Sequence, residues 1–352
     1  MIMKVAFIFS TIILFINTAS AQDMSKMKKH HVENGFVNIH NNYKLPGFSD
    51  MVKWQWERIG MENPNDIEYN FPMGENDPEF LRQNRTKNTV TWIGQATLLL
   101  QIGGKNILTD PIFSERASPF ENIGPKRHTK PGLALEDLPP IDIVVISHNH
   151  YDHLDTKSLM ALRKRDGGDK TVFMVPLGLR EWFDDTNITN VIERDWWEET
   201  EFDDVKVVSV PVQHWSRRSM FSTNDTLWCG WVVVSPGFRF VFLGDTGYTP
   251  HFREIAEKYG PFDLAAIPIG AYEPRWFMKF SHINPEESVK AHIDLNAKRS
   301  VAMHWGTFVL TNEPLDEPPL KLKEEREKAG LSEEEFFILR HGDSRVMSEP
   351  DK

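Results

Sequence analysis

Cysteine is almost missing from this sequence. Cys229 is the single one in 352 residues, so no internal disulfide can form and no cluster of thiolate metal ligands can be assembled. Between Trp228 and Trp231 it reads as a small core residue. Positive charge is in deficit: 40 Lys and Arg against 51 Asp and Glu leave a net charge of -11, which argues against nucleic acid as a partner and against broad adhesion to anionic membranes. Beyond the N-terminus, no apolar run approaches the roughly 20 residues that a spanning helix needs. Repeats, low-complexity tracts and a convincing linker are also missing. What remains is 40% hydrophobic and 26% charged, with 23 Phe and 11 Trp, a globular composition long enough for a sizeable core.

The first 21 residues stand apart. Lys4 gives a basic start, Val5–Ile16 is an almost unbroken apolar run, and Ala19-Ser20-Ala21 closes it with small residues. This pattern predicts a secretory signal peptide, with an uncleaved anchor as the rival reading. Cleavage after Ala21 would remove one lysine, leaving 39 basic and 51 acidic residues and a net charge of -12. The expectation is an exported chain, periplasmic or secreted, and at most peripherally membrane-associated. Residues 22–88 form a polar N-terminal segment whose Trp54 and Trp56 suggest packing on the main body.

From Val90 the pattern becomes short apolar runs separated by turns. Strands are predicted at Val90–Ile93, Thr97–Ile102, Asn106–Thr109, Ile141–Ser147, Thr171–Val175, Val205–Val212, Leu227–Ser235, Phe238–Leu243, Leu264–Ile269 and Ser300–His304, with Gly103-Gly104 as a hairpin turn. Helices are predicted at Thr156–Arg165, Pro250–Tyr259, Pro285–Leu295 and Leu320–Ala329. Paired strands followed by strands mixed with helices imply an α/β fold, sheet packed on sheet with helices outside.

At the end of the Ile141–Ser147 strand stands His148-Asn149-His150-Tyr151-Asp152-His153. Three imidazoles and a carboxylate in six residues are ligands for zinc, iron or manganese. Alternate residues of an extended segment share a face, so His148 and His150 can hold one ion, and the turn after them can swing Asp152 and His153 towards a second. Further ligands follow at the ends of other apolar strands: His214, Asp245 and His304. A lone histidine is usually a satisfied surface or core residue; the six-residue cluster makes that reading improbable here. Asp155 reads equally as a partner for a ligand imidazole or as the N-cap of the next helix.

The H-x-H-x-D-H cluster resembles that of the metallo-β-lactamase superfamily. The resemblance implies an αβ/βα sandwich, two mixed sheets flanked by helices, as one hydrolase domain over 89–347. It implies His148, His150 and His214 on one Zn2+, Asp152, His153 and His304 on a second, and Asp245 bridging. Segments 147–155, 244–248, 270–278 and 304–307 are similar to those of the N-acylphosphatidylethanolamine-hydrolysing phospholipase D family, over about Thr91 to Arg345. That family is a zinc phosphodiesterase releasing N-acylethanolamine and phosphatidic acid. The apparent signal peptide and the polar N-terminal segment depart from its animal members.

Two cations about 3.5–4 Å apart lower the pKa of a bridging water and clamp both oxygens of an in-line displacement. A phosphodiester suits such a site, with a dimetal-bound hydroxide attacking phosphorus. Asp245 and Asp152 are the catalytic candidates together with His282, which the resemblance places near the reacting atoms to protonate the leaving alcohol or bind phosphate. Candidate substrate contacts are His282, Tyr151, the basic pair Arg217 and Arg218, and the apolar run Trp276, Phe277 and Met278. That run reads either as a loop dipping into a phospholipid membrane or micelle surface, or as a core strand. The resemblance leaves a homodimer and bile-acid binding open for this chain. The rival within the superfamily is a metal-dependent lactonase or other ester hydrolase. A metal-free phospholipase D needs paired H-x-K-x-x-x-x-D motifs, and Leu135 stands where His128-Thr129-Lys130 would require aspartate. A binding or scaffold protein that has lost catalysis is disfavoured by the complete ligand set.

Overall fold

The computed structural model describes residues 28–40, 45–219 and 222–347. The expected signal peptide over 1–21 lies outside them, as do 22–27 and 41–44 of the polar segment. Among the described residues, no helix is long and apolar enough to cross a membrane.

The chain opens with a two-strand ribbon, β1 (His31–Val32) and β2 (Gly35–Phe36), then α1 (Phe48–Glu57) and α2 (Pro78–Gln83). A first run of strands follows: β3 (Thr89–Gly94), β4 (Thr97–Ile102), β5 (Lys105–Thr109) and β6 (Ile143–Val145). Next come α3 (Thr156–Lys164), β7 (Val172–Pro176), α4 (Arg180–Asp184) and β8 (Val191–Arg194). The second half holds β9 (Glu199–Phe202), β10 (Val205–Val210), β11 (Gly230–Ser235), β12 (Phe238–Phe242), α5 (His251–Tyr259) and β13 (Leu264–Pro268). It ends with α6 (Arg275–Met278), α7 (Pro285–Asp294), β14 (Ser300–Met303), α8 (Glu317–Lys328), β15 (Phe336–Phe337) and β16 (Ser344–Val346).

These strands form two seven-stranded sheets, ordered β16-β3-β4-β5-β6-β7-β8 and β15-β14-β13-β12-β11-β10-β9. Each is mixed: β5 to β8 and β12 to β15 run parallel, and the other pairs are antiparallel. The alternation of a strand sorts side chains between layers. In β4, Leu98 and Leu100 enter the core shared by the two sheets, while Leu99 turns to the outer layer with Leu81, Leu159, Leu162 and Phe183 of α2, α3 and α4. Phe252 and Ile255 of α5, Val289 of α7 and Leu322 of α8 join the core of the second sheet. Gly103 and Gly104 both take positive φ, 57° and 76°, as the expected two-residue hairpin turn requires.

Three expectations need correction. The run Ile141–Ser147 pairs as a strand only over Ile143–Val145, because its end crosses towards the other sheet: the Ser147 carbonyl accepts from the Cys229 amide at 2.9 Å. The apolar run 276–278 is neither loop nor core strand but the helical turn α6, packed against α1. The last helix begins three residues earlier than expected, at Glu317, with proline in its first turn where no backbone donor is needed. Of the two N-terminal tryptophans, Trp54 is buried and donates from Nε1 to Asn312 Oδ1 at 2.9 Å, whereas Trp56 is exposed.

Candidate metal centre

The strand ends of both sheets converge on one buried cluster. From the segment after β6 come His148, His150, Asp152 and His153. The segment after β10 brings His214, the one after β12 brings Asp245, and the end of β14 brings His304. All seven expected ligands meet there, in two groups.

In the first group His148 Nε2 lies 2.8 Å from His150 Nδ1, which lies 3.3 Å from His214 Nε2. The far sides of two of these rings are engaged: His148 Nδ1 faces Ser147 Oγ at 2.9 Å, and His214 Nδ1 donates to the Ser281 carbonyl at 3.0 Å. Burial pushes the pKa of His148 well down, that of His150 to about 4 and that of His214 to about 3. Neutral imidazoles with lone pairs aimed at one point repel one another unless a cation is shared, so the donor set fits a metal ion.

The second group pairs two carboxylates with two imidazoles. His153 Nε2 sits 3.2 Å from Asp152 Oδ2 and 3.1 Å from Asp245 Oδ2. His304 Nε2 sits 3.3 Å from Asp152 Oδ2 and 3.0 Å from Asp245 Oδ1. Asp245 Oδ2 also lies 3.9 Å from His214 Nε2, so this carboxylate stands between the two groups. Burial alone would raise Asp152 and Asp245, but the charge of His153 outweighs it and holds both well below the usual carboxylate range. Burial likewise opposes charge on His153 and His304, yet the two carboxylates push His153 up and His304 to about 9. His282 Nδ1, 3.8 Å from Asp245 Oδ2, is buried without a hydrogen-bond partner, a polar atom left open beside the centre.

Two supporting residues escaped the sequence reading. Asp110, fully buried, accepts from the Ser147 amide at 2.7 Å, from the Ser147 hydroxyl, and from His153 Nδ1 at 2.6 Å, which fixes the His153 ring with Nε2 towards the centre. Gln95 Nε2 contacts Asp152 Oδ2 and His304 Nε2, both at 2.9 Å. Asp110 occupies the end of an apolar strand, the same signal that singled out Asp245; an isolated glutamine carries no comparable signal. Asp155 is the N-cap residue of α3, but it accepts from Ser114 Oγ at 2.6 Å and from Ser158 Oγ instead of an imidazole. Gln95, Asp110 and His304 all adopt left-handed backbone, with φ of 51°, 33° and 63°, a strained conformation at each of these three positions around the site.

The remaining candidates surround this centre unequally. His282 Nδ1 is 3.8 Å from Asp245 Oδ2, and its ring neighbours those of His214 and His304. It is held from behind: Arg275 donates to the His282 carbonyl at 2.9 Å and to Glu287 at 2.6 Å, and Glu287 closes the capping box that starts α7. Arg218 is turned inward, donating to the carbonyls of Asn149 and Leu154 and lying over the Tyr151 ring at 4.3 Å. It therefore braces the loop that carries the ligands. Tyr151 donates from its hydroxyl to the Arg218 carbonyl at 2.8 Å. Arg217 is exposed, with its amide donating to Asn149 Oδ1 at 2.7 Å. Trp276 and Phe277 belong to the α1 contact, through Glu57 and Trp54, and Met278 is buried.

Gly270 shows how tightly the centre is enclosed: a Cβ there would stand 2.2 Å from the His304 carbonyl oxygen. Gly270→Ala is expected to displace His304 and lower bound metal at fixed free zinc, measured by elemental analysis. The metal-free protein should lose stability as pH falls from about 6.5 towards 4, because His150 and His214 stay neutral when folded and protonate when unfolded. The stabilisation from His153 and His304, whose pKa values are raised, is complete below 6.5 and cannot offset that loss. Thermal unfolding followed by circular dichroism across this range checks the sign.

Comparison with known proteins agrees with this geometry. The beta-lactamase superfamily domain profile matches residues 105–305. An N-acyl-phosphatidylethanolamine-hydrolyzing phospholipase D of Caenorhabditis elegans is 44% identical over 245 residues, covering 66% of this chain and 68% of that protein. The chain belongs to this phospholipase D family of the metallo-β-lactamase superfamily. The mitochondrial member of the family from Saccharomyces cerevisiae is 38% identical over 250 residues, 69% of this chain and 53% of the yeast protein. Igni18, a metallo hydrolase from Ignicoccus hospitalis, superposes with a TM-score of 0.58 at 20% identity over 75% of this chain and all of its own, a likeness of fold. Fold, ligand set and relatives together make this chain a metal-dependent hydrolase.

Proposed function

We propose that this phospholipase D family member hydrolyses N-acylphosphatidylethanolamine to N-acylethanolamine and phosphatidic acid, using two Zn2+ per chain. The observation that carries the reading is Asp245, whose two oxygens face both ligand groups. His148, His150 and His214 would hold one ion, Asp152, His153 and His304 the other, and Asp245 both. When bound, such a pair supplies an activated water and neutralises the phosphodiester's charge. The oxygen of water joins phosphorus, the bond from phosphorus to the ethanolamine oxygen breaks, and the alcohol leaves with a proton.

The chain's own residues place the lipid for this step. Asp152 and Asp245, ionised through their histidine partners, keep the centre matched to cations. His282 Nδ1, buried and unpartnered beside Asp245, is available to hydrogen-bond a phosphate oxygen or the departing alcohol. Arg217, exposed beside the His214 segment, offers positive charge to the headgroup. A lipid surface as the meeting place is supported by α1 and its end: Phe48, Val52, Trp56 and Ile59 fall on one stripe and are 86, 51, 74 and 73% exposed, with Trp276 beside them at 39%. Export by the N-terminal segment would put this surface against the outer side of a membrane.

The test is product analysis by mass spectrometry. Zinc-loaded protein is given N-acylphosphatidylethanolamine, phosphatidylcholine and a lactone in detergent. N-acylethanolamine and phosphatidate should accumulate and vanish with His148→Ala. Turnover of the lactone alone would overturn the lipid assignment.

A further inference from the structure

Three histidines of the N-terminal strap, residues 28–40, reach carboxylates of the hydrolase body far from them in sequence. His30 and His31 face Asp195 at 2.6 and 2.9 Å, and His40 Nε2 faces Glu254 Oε1 at 2.9 Å. The two clusters differ in charge balance. Asp195 already has an ammonium, Lys28 Nζ at 2.7 Å, in the place a cation would take, so that cluster is a complete ion pair. Among the described residues, Glu254 has only imidazoles against it: His40 on one oxygen, and His251 Nδ1 on the other at 2.9 Å. The neighbouring Arg253 turns away to Asp294 at 2.9 Å.

We propose that His40, His251 and Glu254 form a further divalent-cation site, distinct from the hydrolytic centre, that clamps the strap onto the body. Two imidazoles and a carboxylate suit zinc or another late first-row ion, with water completing the shell. Their ligand atoms all lie within 4.8 Å of one another. Ligands about 2.0–2.2 Å from a shared ion stand slightly further apart than the present 2.9 Å contacts, so a small opening admits it. His251 and Glu254 are three residues apart on α5 and share a face, and His251 is buried against Trp196. Only His40 has to travel with the strap.

What the clamp holds is close to the centre. Asn38, two residues before His40, donates from Nδ2 to the His214 carbonyl at 2.8 Å. Phe36 enters the core and its amide donates to the Asn224 carbonyl at 2.9 Å, so the strap also grips the loop that follows His214. A cation at His40 therefore fixes the strap over the chain segment that supplies a catalytic ligand. No residue of the proposed site belongs to the catalytic set.

The experiment counts zinc on the full mature chain after dialysis against fixed free zinc, with hydrogen exchange of residues 28–40 read in parallel. Wild type should hold one equivalent more than His40→Ala and Glu254→Gln, and His31→Ala should match wild type. Zinc should slow exchange of the strap in wild type and not in His40→Ala. Equal zinc in wild type and His40→Ala, or loss of the extra equivalent in His31→Ala instead, would overturn the proposal. His40 is itself exposed, so its variant reads the site even if Glu254→Gln folds poorly.

Discussion

Asp245→Asn is expected to lower turnover by about 10³-fold, since a metal-assisted displacement draws several kcal/mol from correctly held cations and each 1.36 kcal/mol is tenfold. The amide has nearly the volume of the carboxylate, so packing survives. Its charge does not, and neither orientation suits the surroundings. One oxygen of Asp245 faces His304 Nε2 at 3.0 Å and the other faces His153 Nε2 at 3.1 Å, so an NH2 in either place points at a ligand nitrogen or a cation. Elemental analysis should show loss of at least one metal equivalent, and added zinc should not restore turnover. A fully active variant with full metal content would remove Asp245 from the centre.

Asp110→Asn should behave differently, because Asp110 acts through His153. Its carboxylate takes three hydrogen bonds, two from Ser147 and one from His153, with no exposure to solvent. Asparagine can accept on one atom only and must present N–H groups to a donor on the other. The expected costs are a 10–100-fold loss of metal affinity, roughly the scale for such supporting carboxylates, and about 1–3 kcal/mol of stability for a buried unsatisfied donor. Excess zinc should restore most of the turnover, in contrast to Asp245→Asn. Zinc titration of activity, with denaturant unfolding of both metal-free proteins, separates the two cases. Unchanged zinc dependence would mean that Asp110 is a packing residue.

The contrast between these two carboxylates shows what the sequence makes legible. The ligands were readable because each stands at the end of an apolar strand, and strand ends on one edge of a sheet have to converge. The same rule marks Asp110, but Asp110 is separated from the histidine cluster by a long irregular connection, and its partner His153 is identified only once β5 and β6 lie side by side. Gln95 was out of reach for another reason: its role depends on a left-handed turn between β3 and β4, not on its chemistry. Among substrate candidates, the sequence gives a basic pair no orientation, and folding separates an inward Arg218 from an exposed Arg217. The short paired length of β6 likewise follows from a tertiary contact, Ser147 with Cys229, that no local pattern encodes.

The proposed reaction has water attack phosphorus at this centre. Hydrolysis of N-acylphosphatidylethanolamine in water enriched in oxygen-18, with both products analysed by mass spectrometry, tests it directly. One labelled oxygen is expected in phosphatidate and none in the N-acylethanolamine. Label in a released fatty acid, with phosphatidate unlabelled or absent, would mean attack at an acyl carbonyl and would contradict it.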